Sequence, residues 1–363
     1  MASIRFENIS KSFGRKKVLN DVSFEVKDKE FFCILGPPGA GKTTLFRLLA
    51  GVEKPDEGRV YIDDQVVNDV PPRYRDVSML FETLALFPNK TGFENIAFPL
   101  RIRKMPKDEI KEKVLTIARS LKIEHLLDRE PRTFSGGERQ RVALAKTIIR
   151  RPKVFLLDEP LSNIDALLRL NMRIELKRLA SELGQTIMYS THDQAEATSM
   201  GQRIAVIDKG VIHQIGIPSE LYNHPVDKTV AMFIGSPPMN FVECAYEEEG
   251  DKSYLRGPFQ VDTTEYARLI SENATSNELI LGVRPEHIIV SKEPTSRKVA
   301  DGIITSFEPI GSKTIIHVKT REDVTITAVG LPWGDYSVGD KAWIDFEPDK
   351  FHVIDKKTDK VLL

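Results

Sequence analysis

The sequence predicts an α/β chain built on a parallel sheet with helical crossovers, followed by a smaller all-β module. Three observations lead there. Short runs that read as buried strands, FFCILG at 31–36, KVFLLDEP at 153–160 and TIMYSTHD at 186–193, alternate with segments of helical period. A glycine-rich loop joins the first of these runs to the helix pattern behind it. Beyond Ser236, β-branched runs punctuated by glycine and proline replace that alternation.

Taken in order, IRFENI and VLNDVSFEV alternate apolar and polar residues, as half-buried antiparallel strands do. FFCIL is continuous enough to be buried on both faces, and TTLFRLLAG reads as a helix that stops at Gly51. From about 106 to 150 the chain is mostly helical, with KDEIKEKVLTIARSL and RQRVALAKTIIR each repeating apolar residues at helical spacing. LLRLNMRIELKRLASEL supplies a crossover helix between the second and third buried runs. GSPPMN at 235–240 reads as a linker, which sets the expected domains at 1–235 and 236–363. ELILGV, KTIIHVKT, VTITAV and WIDFEP then suggest a small barrel-like β module.

Composition narrows the functional classes. At 363 residues there is room for two or three cores. A formal net charge of −1 provides no global basic field for nucleic acid. Two cysteines, Cys33 and Cys244, are too few for a disulfide framework, and Cys33 lies inside an apolar run where a buried thiol is expected. No run approaches the roughly 18 apolar residues of a membrane span. The expectation is a soluble protein of a reducing compartment that reaches membranes only through another protein.

GPPGAGKT, Gly36 to Thr43, satisfies G-x-x-x-x-G-K-[ST] between a buried strand and a helix. Its glycines (Gly36, Gly39 and Gly41) let backbone N–H groups turn toward phosphate oxygens, and the helix dipole adds positive potential. Pro37 and Pro38 cost nothing essential if the donors come from Ala40, Gly41, Lys42, Thr43 and Thr44. Lys42 is expected to reach the β- and γ-phosphates, and the Thr43 hydroxyl to ligate Mg²⁺. An ordinary glycine-rich turn is the competing reading, and the strand–loop–helix context argues against it.

Asp158 and Glu159 end the second buried run, at the edge of an α/β sheet where ligands bind. Asp158 fits a carboxylate on the magnesium side, and Glu159 the group that polarises an attacking water. His192 ends the third run; it could hold a γ-phosphate or simply be structural. Ser135 and Glu138 form a capping box ahead of RQRVALA. Gly136 and Gly137 weaken that first turn by up to ~1 kcal/mol each relative to alanine, but leave bare amides for an anion to approach. With one nucleotide already enclosed by the first loop, this second cradle is expected to face a nucleotide held by another copy.

The ordered set of phosphate loop, SGGE with RQRVALA, VFLLDEP, LSNID and STHD resembles the nucleotide-binding subunits of ATP-binding cassette transporters, over residues 3 to about 235. FIGSPPMN, GVRPEH and EPIGSKTIIHV make the C-terminal part similar to the OB-type (TOBE) regulatory domain of maltose and glycerol-phosphate importer ATPases. The resemblance implies a P-loop NTPase fold with an antiparallel β subdomain and a helical subdomain at about 83–150. It implies ATP and Mg as cofactors, head-to-tail pairing with a second ATPase subunit (identical or not), and two integral-membrane permease subunits docking near Leu84 to Pro88. A solute-binding protein outside the membrane would be an indirect partner, nucleic acid none, and the location the cytoplasmic face of the membrane. Ser135 to Glu138 would touch the γ-phosphate bound by the opposite Lys42, Phe13 would stack on adenine, and Asp165 would belong to the loop linking the two sites. Glu82 departs from the pattern, standing where the family has a glutamine that contacts Mg²⁺ and the attacking water. As a catalytic and metal-side residue it either substitutes acceptably or slows hydrolysis by adding negative charge beside Glu159. The resemblance points to a sugar or related polyol as cargo, then to polyamines, glycerol or glycerol phosphate. A soluble cassette ATPase acting on nucleic acid or ribosomes is the competing class, and a regulator-binding role for the C-terminal module could coexist with transport.

Overall fold

The computed structural model describes residues 2–81, 83–162, 164–294, 300–347 and 349–363. It divides into two compact units, residues 1–218 and 219–363.

The first unit begins with β1 (Ile4–Phe13) and β2 (Lys16–Val26), an antiparallel hairpin, followed by the wholly buried β3 (Phe31–Leu35). α1 (Lys42–Ala50), β4 (Glu57–Ile62), β5 (Gln65–Val66) and β6 (Val77–Leu80) come next. Three helices fill the middle, α2 (Gly92–Ile102), α3 (Lys107–Ser120) and α4 (Gly136–Ile148). Then β7 (Val154–Asp158), α5 (Ala166–Leu183), β8 (Thr186–Thr191), α6 (Gln194–Met200), β9 (Arg203–Asp208) and β10 (Val211–Gly216) complete it. β2-β1-β4-β5 is one sheet and β10-β9-β3-β8-β7-β6 the other. In the larger sheet β9, β3, β8, β7 and β6 run parallel and β10 closes the edge antiparallel. The three apolar runs are therefore neighbours, with their C-terminal ends at one edge. That is the position where an open α/β sheet leaves a crevice for ligand.

The two sheets share one core. Phe6 and Phe24 of the small sheet stack at 4.7 Å between ring centroids, and Phe24 stacks on Phe32 of β3 at 5.4 Å. Sequence periodicity places α3 and α4 well but misses α2, whose N-terminus is closed by a Thr91–Glu94 capping box. Its single polar core residue, Asn95, donates to the carbonyls of Phe87, Lys90 and Thr91 and accepts from the Phe87 N–H. The loop ahead of α2 is thereby fixed from the inside.

Arg75 does the same for the end of α1. It is buried, and its guanidinium donates to the carbonyls of Leu48, Leu49 and Val70. The Leu48 carbonyl also accepts from the Gly51 N–H, and the cation adds hydrogen bonds and favourable charge at the negative end of the helix dipole. Gly51 is required at the turn: its φ is +79°, and a Cβ would stand 2.6 Å from the Arg75 guanidinium.

The second unit carries α7 (Pro218–Asn223), which begins one residue before the division, and α8 (Lys228–Phe233). β11 (Asn240–Glu249), β12 (Lys252–Arg256), β13 (Gln260–Asp262), α9 (Ala267–Asn273), β14 (Glu278–Val283), β15 (Ile288–Ser291), β16 (Ala300–Pro309), β17 (Thr314–Thr320), β18 (Thr325–Gly330), β19 (Lys341–Phe346) and β20 (Phe351–Asp355) follow. They form two five-stranded antiparallel sheets, β13-β12-β11-β14-β20 and β15-β19-β16-β17-β18, that share one apolar core. The structural division falls after the first residue of α7, whereas the change of sequence character falls at Ser236. The two short helices side with the β module because Arg284 donates to the carbonyls of Tyr222 and Ile234, and the Lys228 N–H donates to the Asp359 carbonyl.

Replacing Arg75 with alanine should remove the guanidinium donors from the Leu48, Leu49 and Val70 carbonyls at a cost of about 2–3 kcal/mol. Thermal unfolding followed by circular dichroism is expected to show a midpoint lower by roughly 5–10 °C.

Candidate functional site

The phosphate-loop residues lie where β3 hands over to α1. A Cβ on Gly36 would come 2.1 Å from the Ile207 carbonyl oxygen, so only glycine fits. Gly41, the N-cap of α1, has φ near +111°, a backbone value closed to ordinary side chains. Pro38 and Gly39 are exposed at the rim and Pro37 is half-buried, while Ala40 is buried and its carbonyl accepts from the Gly210 N–H. Lys42 to Thr44 form the first turn of α1, whose N–H groups have no helical acceptor. Lys42 is only 4% exposed. Its ammonium donates to the Gly36 and Pro37 carbonyls at 2.8 and 3.0 Å and lies 3.2 Å from Glu159 Oε1.

Asp158 stands opposite, at the end of β7. It accepts from the Ser190 hydroxyl at 2.7 Å and the Thr43 hydroxyl at 3.2 Å, both on Oδ1. Burial pushes its carboxyl above the usual carboxylate range, and the two hydroxyl donors oppose that shift. Glu159 follows with φ of +45°, a left-handed conformation that costs a bulky residue about 1–3 kcal/mol. Its N–H donates to both the Oγ and the carbonyl of Ser190, at 3.1 and 3.2 Å, which pins the turn. The side chain then spans two partners: Lys42 on Oε1 and His192 Nδ1 on Oε2 at 3.0 Å. A carboxylate can only accept, so Nδ1 carries the hydrogen, and Nε2 is the ring's second polar nitrogen. Lys42, Asp158, Glu159 and His192, from the start of α1 and the ends of β7 and β8, thus converge on one strand-end edge.

The second cradle has the expected local form. Ser135 is exposed at the N-cap of α4, its Oγ accepts from the Glu138 N–H at 3.3 Å, and Glu138 Oε2 accepts from the Ser135 N–H at 2.7 Å. That backbone hydrogen bond holds the Glu138 carboxyl below its ordinary value, and His125 Nε2 stands 3.3 Å from Oε1. Gly136 and Gly137 are partly open to solvent in the first turn. Phe13 is 43% exposed at the end of β1, so it is not a core residue. Asp165 immediately precedes α5 and is exposed. Glu82 lies outside the described residues.

Two residues not anticipated from sequence organise this site. Ser190 is fully buried and contacts both acidic residues at the end of β7. Gln140 is buried on the apolar face of α4, and its amide donates to the Pro160 carbonyl, joining the second cradle's helix to the turn after Glu159. The available signal was weak: a small hydroxyl inside an apolar strand, and one amide within a stripe that otherwise reads Ala143, Leu144, Thr147 and Ile148.

A separate apolar cavity of about 710 Å³ opens beside this region, walled by Tyr74, Met79, Leu84, Phe98, Ile102 and Lys146. Leu84 and Ala85 both have positive φ, at 60° and 43°, and the Lys146 ammonium holds the Ala85 carbonyl at 2.8 Å while lying 4.1 Å from the Phe87 ring centroid. Burial lowers the Lys146 pKa. Tyr74 and Ile102 remain largely exposed on its walls.

Three family models match the chain. Residues 19–162 match the family described as ABC transporter, 235–288 the MalK OB fold domain, and 281–354 the TOBE domain. The chain is 41% identical to the trehalose/maltose import ATP-binding protein MalK of Thermococcus litoralis over 100% of both chains. It is 40% identical to the sn-glycerol-3-phosphate import ATP-binding protein UgpC of Ruegeria pomeroyi over 99% of both. Among solved structures, the dimeric post-hydrolysis state of an ATP-binding cassette bound to ADP and Pi superposes with a TM-score of 0.55 at 29% identity, covering 59% of this chain and 98% of that one.

The Ser190→Ala variant removes a donor that favours ionised Asp158. Its carboxyl should then titrate at higher pH, and hydrolysis that needs the carboxylate should fail earlier on acidification. The acid limb of the pH–rate profile is expected to move up; an unmoved limb would contradict the role given to this hydrogen bond.

Proposed function

The chain belongs to the ATP-binding cassette transporter family, and on that premise we propose that it powers an importer of a sugar or related polyol by splitting ATP at the β3–β7–β8 edge. The observation that carries this reading is the convergence of Lys42, Asp158, Glu159 and His192. Lys42 neutralises phosphate charge, and its rest position against loop carbonyls leaves the ammonium already desolvated at the site. Glu159 orients and takes a proton from the attacking water; its backbone turn and its bond to His192 restrict where that carboxylate can aim. His192 would reach the γ-phosphate through Nε2, which donates there only when the ring carries a hydrogen on both nitrogens.

The Thr43 hydroxyl and Asp158 carboxylate form an all-oxygen donor pair, which suits a hard cation. Mg²⁺ bound there would neutralise charge on the β- and γ-phosphates. Phe13, exposed beside the loop-bearing sheet, offers a face for adenine. Ser135, Gly136, Gly137 and Glu138 would complete the site of an opposing copy, because an exposed capped helix start offers first-turn amides and a positive dipole end to an anion. The functional division is a cassette over 1–235 and a regulatory module over 236–363.

The apolar cavity beside Leu84 and Ile102 is the proposed seat of the membrane-spanning partners, which would place the protein peripherally on the cytoplasmic face. No described helix is long and apolar enough to cross a membrane. The relatives' names point to trehalose, maltose and glycerol phosphate, so neutral or phosphorylated polyols are the first cargo to test. Ligand affinity of the associated solute-binding protein would decide among them.

Three outcomes are expected. Glu159→Gln should lower ATP turnover at least about a hundredfold while ATP binding persists, read by steady-state hydrolysis and nucleotide titration; full turnover would sink the assignment. Ile102→Asp should abolish co-purification with the permease subunits and leave hydrolysis by the isolated chain intact. Glu82→Gln should raise hydrolysis in the assembled transporter, and no gain would show that the carboxylate substitutes without penalty.

A further inference from the structure

The turn that carries His192 is held by a closed circuit of contacts that the roles described above do not use. Glu196, in the first turn of α6, is 3% exposed, and its Oε2 accepts from the Tyr189 and Thr191 hydroxyls, both at 2.8 Å. Burial, then the Glu196 charge, pushes the Tyr189 hydroxyl well above its ordinary pKa, so it stays a donor. The Thr191 oxygen in turn accepts from the Asp193 N–H at 2.9 Å. Asp193 Oδ1 accepts from the Ala195 and Glu196 N–H groups, which fixes it to the start of α6. Asp193 Oδ2 and Glu196 Oε1 lie 3.7 and 3.9 Å from Nη1 and Nε of one guanidinium, that of Arg169. Only His192 separates Thr191 from Asp193 in the chain. The circuit Arg169–Glu196–Thr191–Asp193 therefore encloses the two peptide groups of His192.

Arg169 is anchored at the same time to a different loop. It stands in the first turn of α5, its N–H donates to the Asp165 carbonyl at 2.8 Å, and Nη2 donates to the Ile164 carbonyl at 3.1 Å. Its Nε is buried and makes no hydrogen bond. We propose, resting on the roles given above to His192 and to the Asp165 loop, that Arg169 is a positioning residue: it ties the aim of the His192 imidazole to the placement of that loop. A guanidinium presents its donors in a rigid planar fork, so the end that holds the Ile164 carbonyl cannot move independently of the end that faces the carboxylates. The carbonyl contact is already a hydrogen bond, whereas both carboxylate contacts stand ~1 Å beyond that length. Movement of the 164–165 segment toward α6 would close the gap and clamp the turn, and movement away would release it. Lys177 makes the useful contrast. Its ammonium donates to the Ser199 carbonyl at 2.9 Å, joining the same two helices outside the circuit.

The test is ATP hydrolysis and ATP binding by the full chain in single and double variants. Arg169→Ala should lower kcat about tenfold, while KM and the ATP dissociation constant change by less than about twofold. Arg169→Gln, which keeps an amide donor without the charge, should show the same loss and serves where the alanine variant fails to fold. In a His192→Ala background, read by single-turnover hydrolysis, Arg169→Ala should cost nothing further, as expected of residues that act as one unit. Lys177→Ala should leave kcat unchanged. Multiplying losses in the double variant, an equal kcat loss in Lys177→Ala, or full kcat in the folded Arg169 variants overturns the proposal. Full turnover in His192→Ala would instead overturn the role given to His192, and the proposal with it, so the two failures are told apart.

Discussion

The Lys42–Glu159 ion pair organises the first unit, because it joins the two chain segments that chemistry needs together. Lys42 opens α1 and Glu159 leaves β7, over a hundred residues later; β8 lies between their parent strands in the sheet. A buried cation so placed would be costly alone. Two loop carbonyls and one carboxylate compensate it, and the carboxylate is itself braced by His192. The strained turn at Glu159 is the local cost of aiming that side chain back across the edge.

Asp158 shows the complementary strategy. Its neighbours offer hydroxyls rather than cations, so its charge is favoured by hydrogen bonds while burial opposes it. Two adjacent carboxylates therefore occupy different electrostatic settings: one paired with Lys42, the other held by serine and threonine. Adjacent acids in unlike surroundings can take unlike tasks, which is how a single strand end serves both a metal and a water.

Much of this was legible in advance where the determinant is local. The phosphate loop announces itself because glycine at positive φ and lysine at a fixed offset are needed within eight residues. The capping box at Ser135 is visible for the same reason. Ser190, Gln140 and Arg75 were not, since each acquires its role from a partner supplied by the fold: Asp158, the Pro160 carbonyl and the end of α1 respectively. The helix α2 escaped because its pattern surrounds Pro99. Glu82, the departure that sequence comparison makes most interesting, lies outside the described residues.

Arg284 bears on how the C-terminal unit can travel between proteins. Its guanidinium is satisfied by carbonyls at Tyr222 and Ile234, upstream of the first strand of the β module. A gene fusion joined at Ser236 would strand that cation in the interior with no acceptors, whereas one joined ahead of α7 would carry its own acceptors along. A transplant of this module that keeps its fold is therefore expected to start upstream of Tyr222, with the two short helices included.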